Sequence, residues 1–121
     1  MDGPLIETPS LALVDGIYYL SFSSNWYNSE YYDVSSATAT SVLGPYTKVQ
    51  HPDAPLIVTD DSKGLWGPDG ADMVVSKDGN GFLMVYHNWN HPYQHDNPED
   101  KNWRGMNAAR VGFSDGVMSL I

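Results

Sequence analysis

Short apolar runs alternate with polar punctuation along the whole chain. Val, Ile, Tyr, Phe and Thr gather in strand-length stretches, Gly, Pro, Asp and Asn separate them, and no window sustains a helical period. The pattern predicts an all-β fold. Strands are expected at Ser10–Val14, Ile17–Ser24, Asp33–Thr40 and Tyr46–Val49. A second set is expected at Asp72–Ser76, Phe82–His87, Met106–Phe113 and Val117–Leu120. Asp-Gly pairs at Asp15-Gly16, Asp78-Gly79 and Asp115-Gly116 close hairpins, since this dipeptide tolerates the positive φ angles of tight hairpin turns. Tyr18, Tyr19, Leu20, Phe22 and Val34 read as core, and Asp15, Asp78 and Asp115 as turn formers rather than catalysts.

The two sets repeat. Asp15-Gly16 and Asp78-Gly79 lie 63 residues apart, and the same interval relates Leu20 to Leu83 and Asn25-Trp26 to Asn88-Trp89. A four-stranded unit repeating at this length predicts β-propeller blades, one over about residues 5–50 and one over about 71–121, joined by a linker loop over about 51–70. Blades bury their faces against neighbouring blades, and the smallest propellers have about four. Two blades are therefore expected to form part of a larger ring, and the isolated chain to self-associate through uncovered faces and strand edges. The polar, aromatic stretch "NWNHPYQHDNPEDKNW" reads as a long surface loop of the second blade, and Asp60-Asp61 as a solvated acidic loop.

Charge narrows the choice of partners. The net charge is −9, with only six Lys and Arg, which disfavours nucleic acid and anionic membranes and leaves neutral polar ligands such as sugars, or cations. There is no Cys, which excludes disulfides and thiolate metal sites. No apolar run reaches the roughly 18 residues of a membrane helix, and "MDGPLIETPS" lacks the basic and apolar regions of a signal peptide. No Asn-x-Ser/Thr sequon occurs.

Four segments together resemble glycoside hydrolase family 43: "IETPSLALVDGIYYLSFSS", "YYDVSSATATSVLGPYTK", "GPDGADMVVSKDGNGFLMVYHNW" and "RGMNAARVGFSDG". Their order resembles the last two blades of the family's five-bladed propellers. The resemblance implies an inverting glycosidase acting on arabinose- or xylose-containing plant polysaccharides, and an extracellular parent protein. Such hydrolysis needs two carboxyl groups, an acid to protonate the leaving oxygen and a base to activate water, held about 6.5–9.5 Å apart. By its place in the Glu-x-Pro-strand motif, Glu7 matches the acid. Thr8 stands where the family commonly has Gly. The base Asp and a second Asp that tunes the acid are expected upstream, since Asp2, Asp69 and Asp72 sit in other contexts. The chain alone is then expected to be inactive.

The same resemblance makes His87 a residue that helps hold an axial Ca²⁺ through water, with no cofactor otherwise required, and makes Arg104 a residue of the active-site floor. Trp26, Tyr27, Trp66, Trp89 and Trp103 are candidates to stack on sugar rings, Trp26 and Trp89 foremost. Each has a plainer alternative. Glu7 could be a solvated acid, His87 a buried histidine bonded to backbone, Arg104 a surface ion pair, and the aromatics blade packing. Asn25 and Asn88 recur at equivalent positions and could be structural for that reason. His91 and His95, separated by Pro92, read as loop residues rather than a metal pair. Two other readings of the chain stand beside the enzyme: a non-catalytic sugar-binding or interaction propeller, and a truncated gene product.

Overall fold

The computed structural model describes residues 5–94, 96 and 101–121; Asp2 and His95 lie outside the described residues. Two four-stranded antiparallel sheets follow one another in chain order. The first holds β1 (Ile6–Val14), β2 (Ile17–Ser24), β3 (Asp33–Ala39) and β4 (Thr47–Lys48), and the second holds β5 (Trp66–Val75), β6 (Phe82–Trp89), β7 (Arg104–Ser114) and β8 (Val117–Leu120). A single 3₁₀ turn, Asp61–Lys63, lies between them. Each sheet is a meander in which sequence neighbours pair, as in a propeller blade.

All three Asp-Gly pairs lie in hairpin connections, two of them in tight two-residue turns. Asp15 and Gly16 have φ of 49° and 79°, and Asp115 and Gly116 have 51° and 82°, the paired positive angles of a two-residue type I′ turn. The third is looser. Six residues separate Val75, the end of β5, from Phe82, the start of β6, and the Ser76 N–H bonds the Gly81 carbonyl at 2.9 Å. Asp78 organises this loop by accepting from the Ser76 hydroxyl at 2.6 Å and the Asn80 N–H at 3.0 Å. These bonds, the Ser76 one above all, hold its carboxyl down to about 2.

Three strands begin earlier than the hydrophobic pattern predicts, β1 at Ile6, β5 at Trp66 and β7 at Arg104. Their first turns carry polar residues and glycines, which conceal pairing because they do not alternate. Register shifts fall between Glu7 and Ser10 in β1, and on both sides of Asp69 in β5. Such bulges re-aim side chains, and both lie at the same end of the two sheets.

The core fills the space between the sheets. Ala12, Tyr19, Val34 and Ile57 meet Ala71, Met73, Met84, Val111 and Met118. The Phe113 ring packs edge-on against both Tyr19 (4.8 Å between centroids) and Phe82 (5.7 Å). Polar bonds also cross the seam; beside the core, the Ser10 hydroxyl donates to Asp72 Oδ1 at 2.6 Å and accepts the Met73 N–H at 2.9 Å. Tyr18 and Leu20, read as core, are only half-buried. They share a face with Leu11 and Leu13, their cross-strand partners, and that face looks away from the second sheet. Period-two alternation explains this, since Tyr19 and Tyr18 must point to opposite faces.

No helix among the described residues is long and apolar enough to cross a membrane.

Burial sets the expected mutational costs. Met84 is 0% exposed, so Met84→Ala should destabilise by about 2–5 kcal/mol in denaturant melts. Leu13 is 54% exposed, and Leu13→Ala should cost less than about 1 kcal/mol. Equal costs at the two positions would contradict the assigned core.

Candidate active site

Glu7 lies in the irregular first turn of β1, opposite Ser23 of β2. The next residue, Thr8, has φ of 51°, a left-handed conformation that a β-branched residue rarely adopts. That angle gives the physical reason why glycine suits this position. Here the Thr8 hydroxyl is tied down instead, donating to Ser23 Oγ at 2.8 Å, which also accepts the Gly70 N–H at 3.0 Å. One buried serine thus joins the bulge beside Glu7 to the bulge in the second sheet. Glu7 itself is exposed, and the phenol of buried Tyr32 donates to its Oε2 at 2.5 Å.

Asp69 sits between the two irregularities of β5. Gly67 and Gly70 flank it with φ of 50° and 62°. A side chain on Gly70 would overlap Nε2 of His87, and one on Gly67 would overlap the Ser29 carbonyl. Glycine at both positions lets the strand fold tightly around a carboxylate that is only 4% exposed.

Two side chains from the neighbouring strands close on that carboxylate. Arg104, the first residue of β7, forms an ion pair through Nη1 with Asp69 Oδ2. His87 of β6, the cross-strand partner of Asp69, places Nε2 3.2 Å from Oδ1. Arg104 Nη1 also lies 3.0 Å from His87 Nδ1. A guanidinium can only donate, so Nδ1 accepts and the ring proton is on Nε2, facing Asp69. Burial, and then the Arg104 charge, lower the pKa of His87 and keep this ring neutral. Arg104 Nη2 donates to the Tyr27 carbonyl at 2.8 Å, joining the second sheet to the loop between β2 and β3.

Trp89 supports this group rather than facing solvent. It is 8% exposed, its indole N–H bonds the same Tyr27 carbonyl at 3.0 Å, and Arg104 lies over its ring at 4.1 Å. Trp26, by contrast, is 53% exposed on that loop, with Tyr27 at 54% and Tyr31 at 74%; Trp103 is 59% exposed near the start of β7. Trp66 donates to Asp61 Oδ1 at 2.6 Å. Asn25, with φ of 76°, bonds the Tyr31 carbonyl and Asp33, while Asn88 bonds the Trp89 carbonyl and accepts from Asn107; the two equivalent residues brace different loops. His91 links the carbonyls of Pro92 and Lys101 across its loop.

Burial pushes the Asp69 carboxyl up to about 7; Arg104 pulls the other way, and the nearby Glu7 carboxylate adds to the rise. Sequence reading placed Asp69 outside the site. The available signal was its flanking glycines, which mark a backbone under close approach.

The Ca²⁺ implied by the family resemblance would meet His87 only through water. Both His87 ring nitrogens are engaged, Nδ1 by a guanidinium, and Ca²⁺ takes six to eight oxygen ligands. Among the described residues no group of three or more His, Asp or Glu could hold a metal ion. A groove of about 630 Å³ is lined by residues such as Leu56, Tyr86 and Leu120 and includes none of the site residues.

Fold and site together define two adjacent β-propeller blades with an exposed carboxylate beside a buried ionic cluster at one end. The chain belongs to the glycosyl hydrolases family 43, whose sequence model matches residues 1–118. It is similar to a thermostable family-43 glycoside hydrolase, at 32% identity and a TM-score of 0.80, over 95% of this chain and 35% of that one. It is also similar to an endo-1,4-β-xylanase from Bacteroides thetaiotaomicron, at 28% identity and 0.78, over 97% and 38%. An α-L-arabinofuranosidase from Lactobacillus brevis, at 21% identity and 0.76 over 96% and 36%, shares the fold. The chain spans little more than a third of each of these proteins. No curated protein matches it.

The direction of the Asp69 shift has a consequence for stability. Its folded pKa lies above the unfolded value of 3.8, so its contribution to stability is fully present below that pH and lost as pH rises through about 7. The difference in Tm between Asp69→Asn and the parent chain should therefore move in favour of the variant from pH 4 to pH 7. A trend in the opposite sense would mean that Asp69 is held ionised by Arg104.

Proposed function

We propose that this chain carries the proton donor of a family 43 glycosidase acting on arabinose- or xylose-containing plant polysaccharides. The observation that carries this reading is the exposed Glu7 carboxylate, anchored through one oxygen only, at the end of the blades where the exposed aromatics of the 25–32 loop also lie. An acid catalyst must reach the glycosidic oxygen, and Glu7 has the exposure to do so. Trp26 and Tyr27, exposed on that loop, supply apolar faces for sugar rings. Arg104 contributes by bracing the loop that carries them. The parent protein is proposed to be extracellular, where such polysaccharides occur.

The water-activating base is assigned to a carboxylate outside these two sheets. Asp69 lies near Glu7, but it is buried and held by Arg104 and His87, so it cannot readily admit the attacking water. In an inverting reaction that water adds to the anomeric carbon and gives its proton to the base, while Glu7 protonates the departing oxygen.

The test is to splice this chain in place of the matching segment of the thermostable family-43 hydrolase and assay arabinan, xylan and their oligosaccharides. The spliced enzyme should hydrolyse one of these classes, and Glu7→Gln should lower kcat by about 10²–10⁴-fold. The 121-residue chain by itself should show no turnover. Unchanged hydrolysis by Glu7→Gln would remove Glu7 from the mechanism.

A further inference from the structure

Tyr32 has no part in the chemistry assigned so far, although its phenol makes the bond that fixes Glu7. It is 2% exposed, one residue before β3, and donates to Glu7 Oε2 at 2.5 Å. Its approach path is fixed by the loop that precedes it. Thr59 donates to the Glu30 carbonyl, and Asn25 donates to the Tyr31 carbonyl at 3.0 Å and to Asp33 Oδ2 at 3.1 Å. The backbone is thus tied on either side of Tyr32, and the buried ring has little freedom to swing away.

The phenol is also a permanent donor. Burial first, and then the bond to Glu7, push its ionisation well above the ordinary tyrosine range. It therefore stays protonated when Glu7 gives up its proton.

We propose that Tyr32 is a positioning residue that decides which oxygen of Glu7 delivers the proton. This rests on the proton-donor reading of Glu7. With the phenol hydrogen directed at Oε2, the proton of the acid resides on Oε1. On transfer the Oε1–H bond breaks, the leaving sugar oxygen gains the proton, and Glu7 is left as a carboxylate. The bond from Tyr32 becomes charge-assisted at that moment, so it is stronger in the transition state than in the ground state. An interaction of that kind raises kcat and leaves substrate binding little changed.

Two measurements test this, and they fail independently. In the 121-residue chain, selectively labelled tyrosine should show a slowly exchanging Tyr32 hydroxyl proton at low field. Glu7→Gln should move it upfield. A Tyr32 hydroxyl unaffected by Glu7→Gln would overturn the assignment, whatever the activity of the protein. In the spliced enzyme, Tyr32→Phe keeps the ring and the packing. It should lower kcat by about 10- to 100-fold, the range for a hydrogen bond to a charged group, with KM within about twofold. Full kcat in Tyr32→Phe, or a loss confined to KM, would overturn the positioning role. Should Tyr32→Phe unfold, Tyr32→Leu with a melting curve like the parent's serves the same comparison, since it also removes the donor. If the spliced enzyme is inactive with Tyr32 and Glu7 intact, the glycosidase reading fails, and the hydroxyl signal alone decides whether Tyr32 holds Glu7.

Discussion

The site depends on one electrostatic requirement: a carboxylate taken almost fully out of water must be given partners. Asp69 is that carboxylate, and Arg104 and His87 are the partners. Placing an unpaired charge in such surroundings costs several kcal/mol, so the group either finds a cation or stays protonated. Here both responses act. Arg104 meets one oxygen, and burial still pushes the carboxyl up to about 7. Because Arg104 also bonds the Tyr27 carbonyl and lies on Trp89, the requirement of one buried acid organises the loop of the neighbouring sheet.

Backbone irregularity links the fold to this chemistry. Regular strands would alternate their side chains strictly and aim Glu7 and Asp69 as the pleat dictates. The bulges break that alternation at one end of each sheet, and Thr8, Gly67 and Gly70 accept the left-handed angles that result. Glycine does so freely, whereas Thr8 needs its bond to Ser23. Ser23 then ties the two irregularities together through Gly70, so the seam between blades and the site are built from the same contacts.

What was legible in the sequence follows from this division. The alternating stretches of β2, β3, β6 and β8 were readable because they are regular, and the interval between Leu20 and Leu83 exposed the repeat. The resemblance singled out Glu7 and Arg104, and the structure sets Glu7 against Tyr32 and Arg104 against Asp69. Asp69 was not legible, because a carboxylate between two glycines looks like a turn, and only the cross-strand pairing with His87 places it in a strand. The role of Tyr32 was equally hidden, since one tyrosine among eight carries no local mark of what it touches across 25 residues. Trp26 and Trp89, equivalent in the repeat, proved opposite in burial. Alternation and repeats report which residues share a face; they do not report which buried groups meet.

The central claim is that Glu7 acts as a proton donor, and the dependence of rate on the leaving group tests it most directly. A series of aryl arabinosides or xylosides with increasingly basic leaving groups would be hydrolysed by the spliced enzyme and by its Glu7→Gln form. A protein that protonates the departing oxygen should show rates nearly independent of leaving-group basicity, and Glu7→Gln should make them fall steeply as basicity rises. The same slope in both proteins would contradict the account.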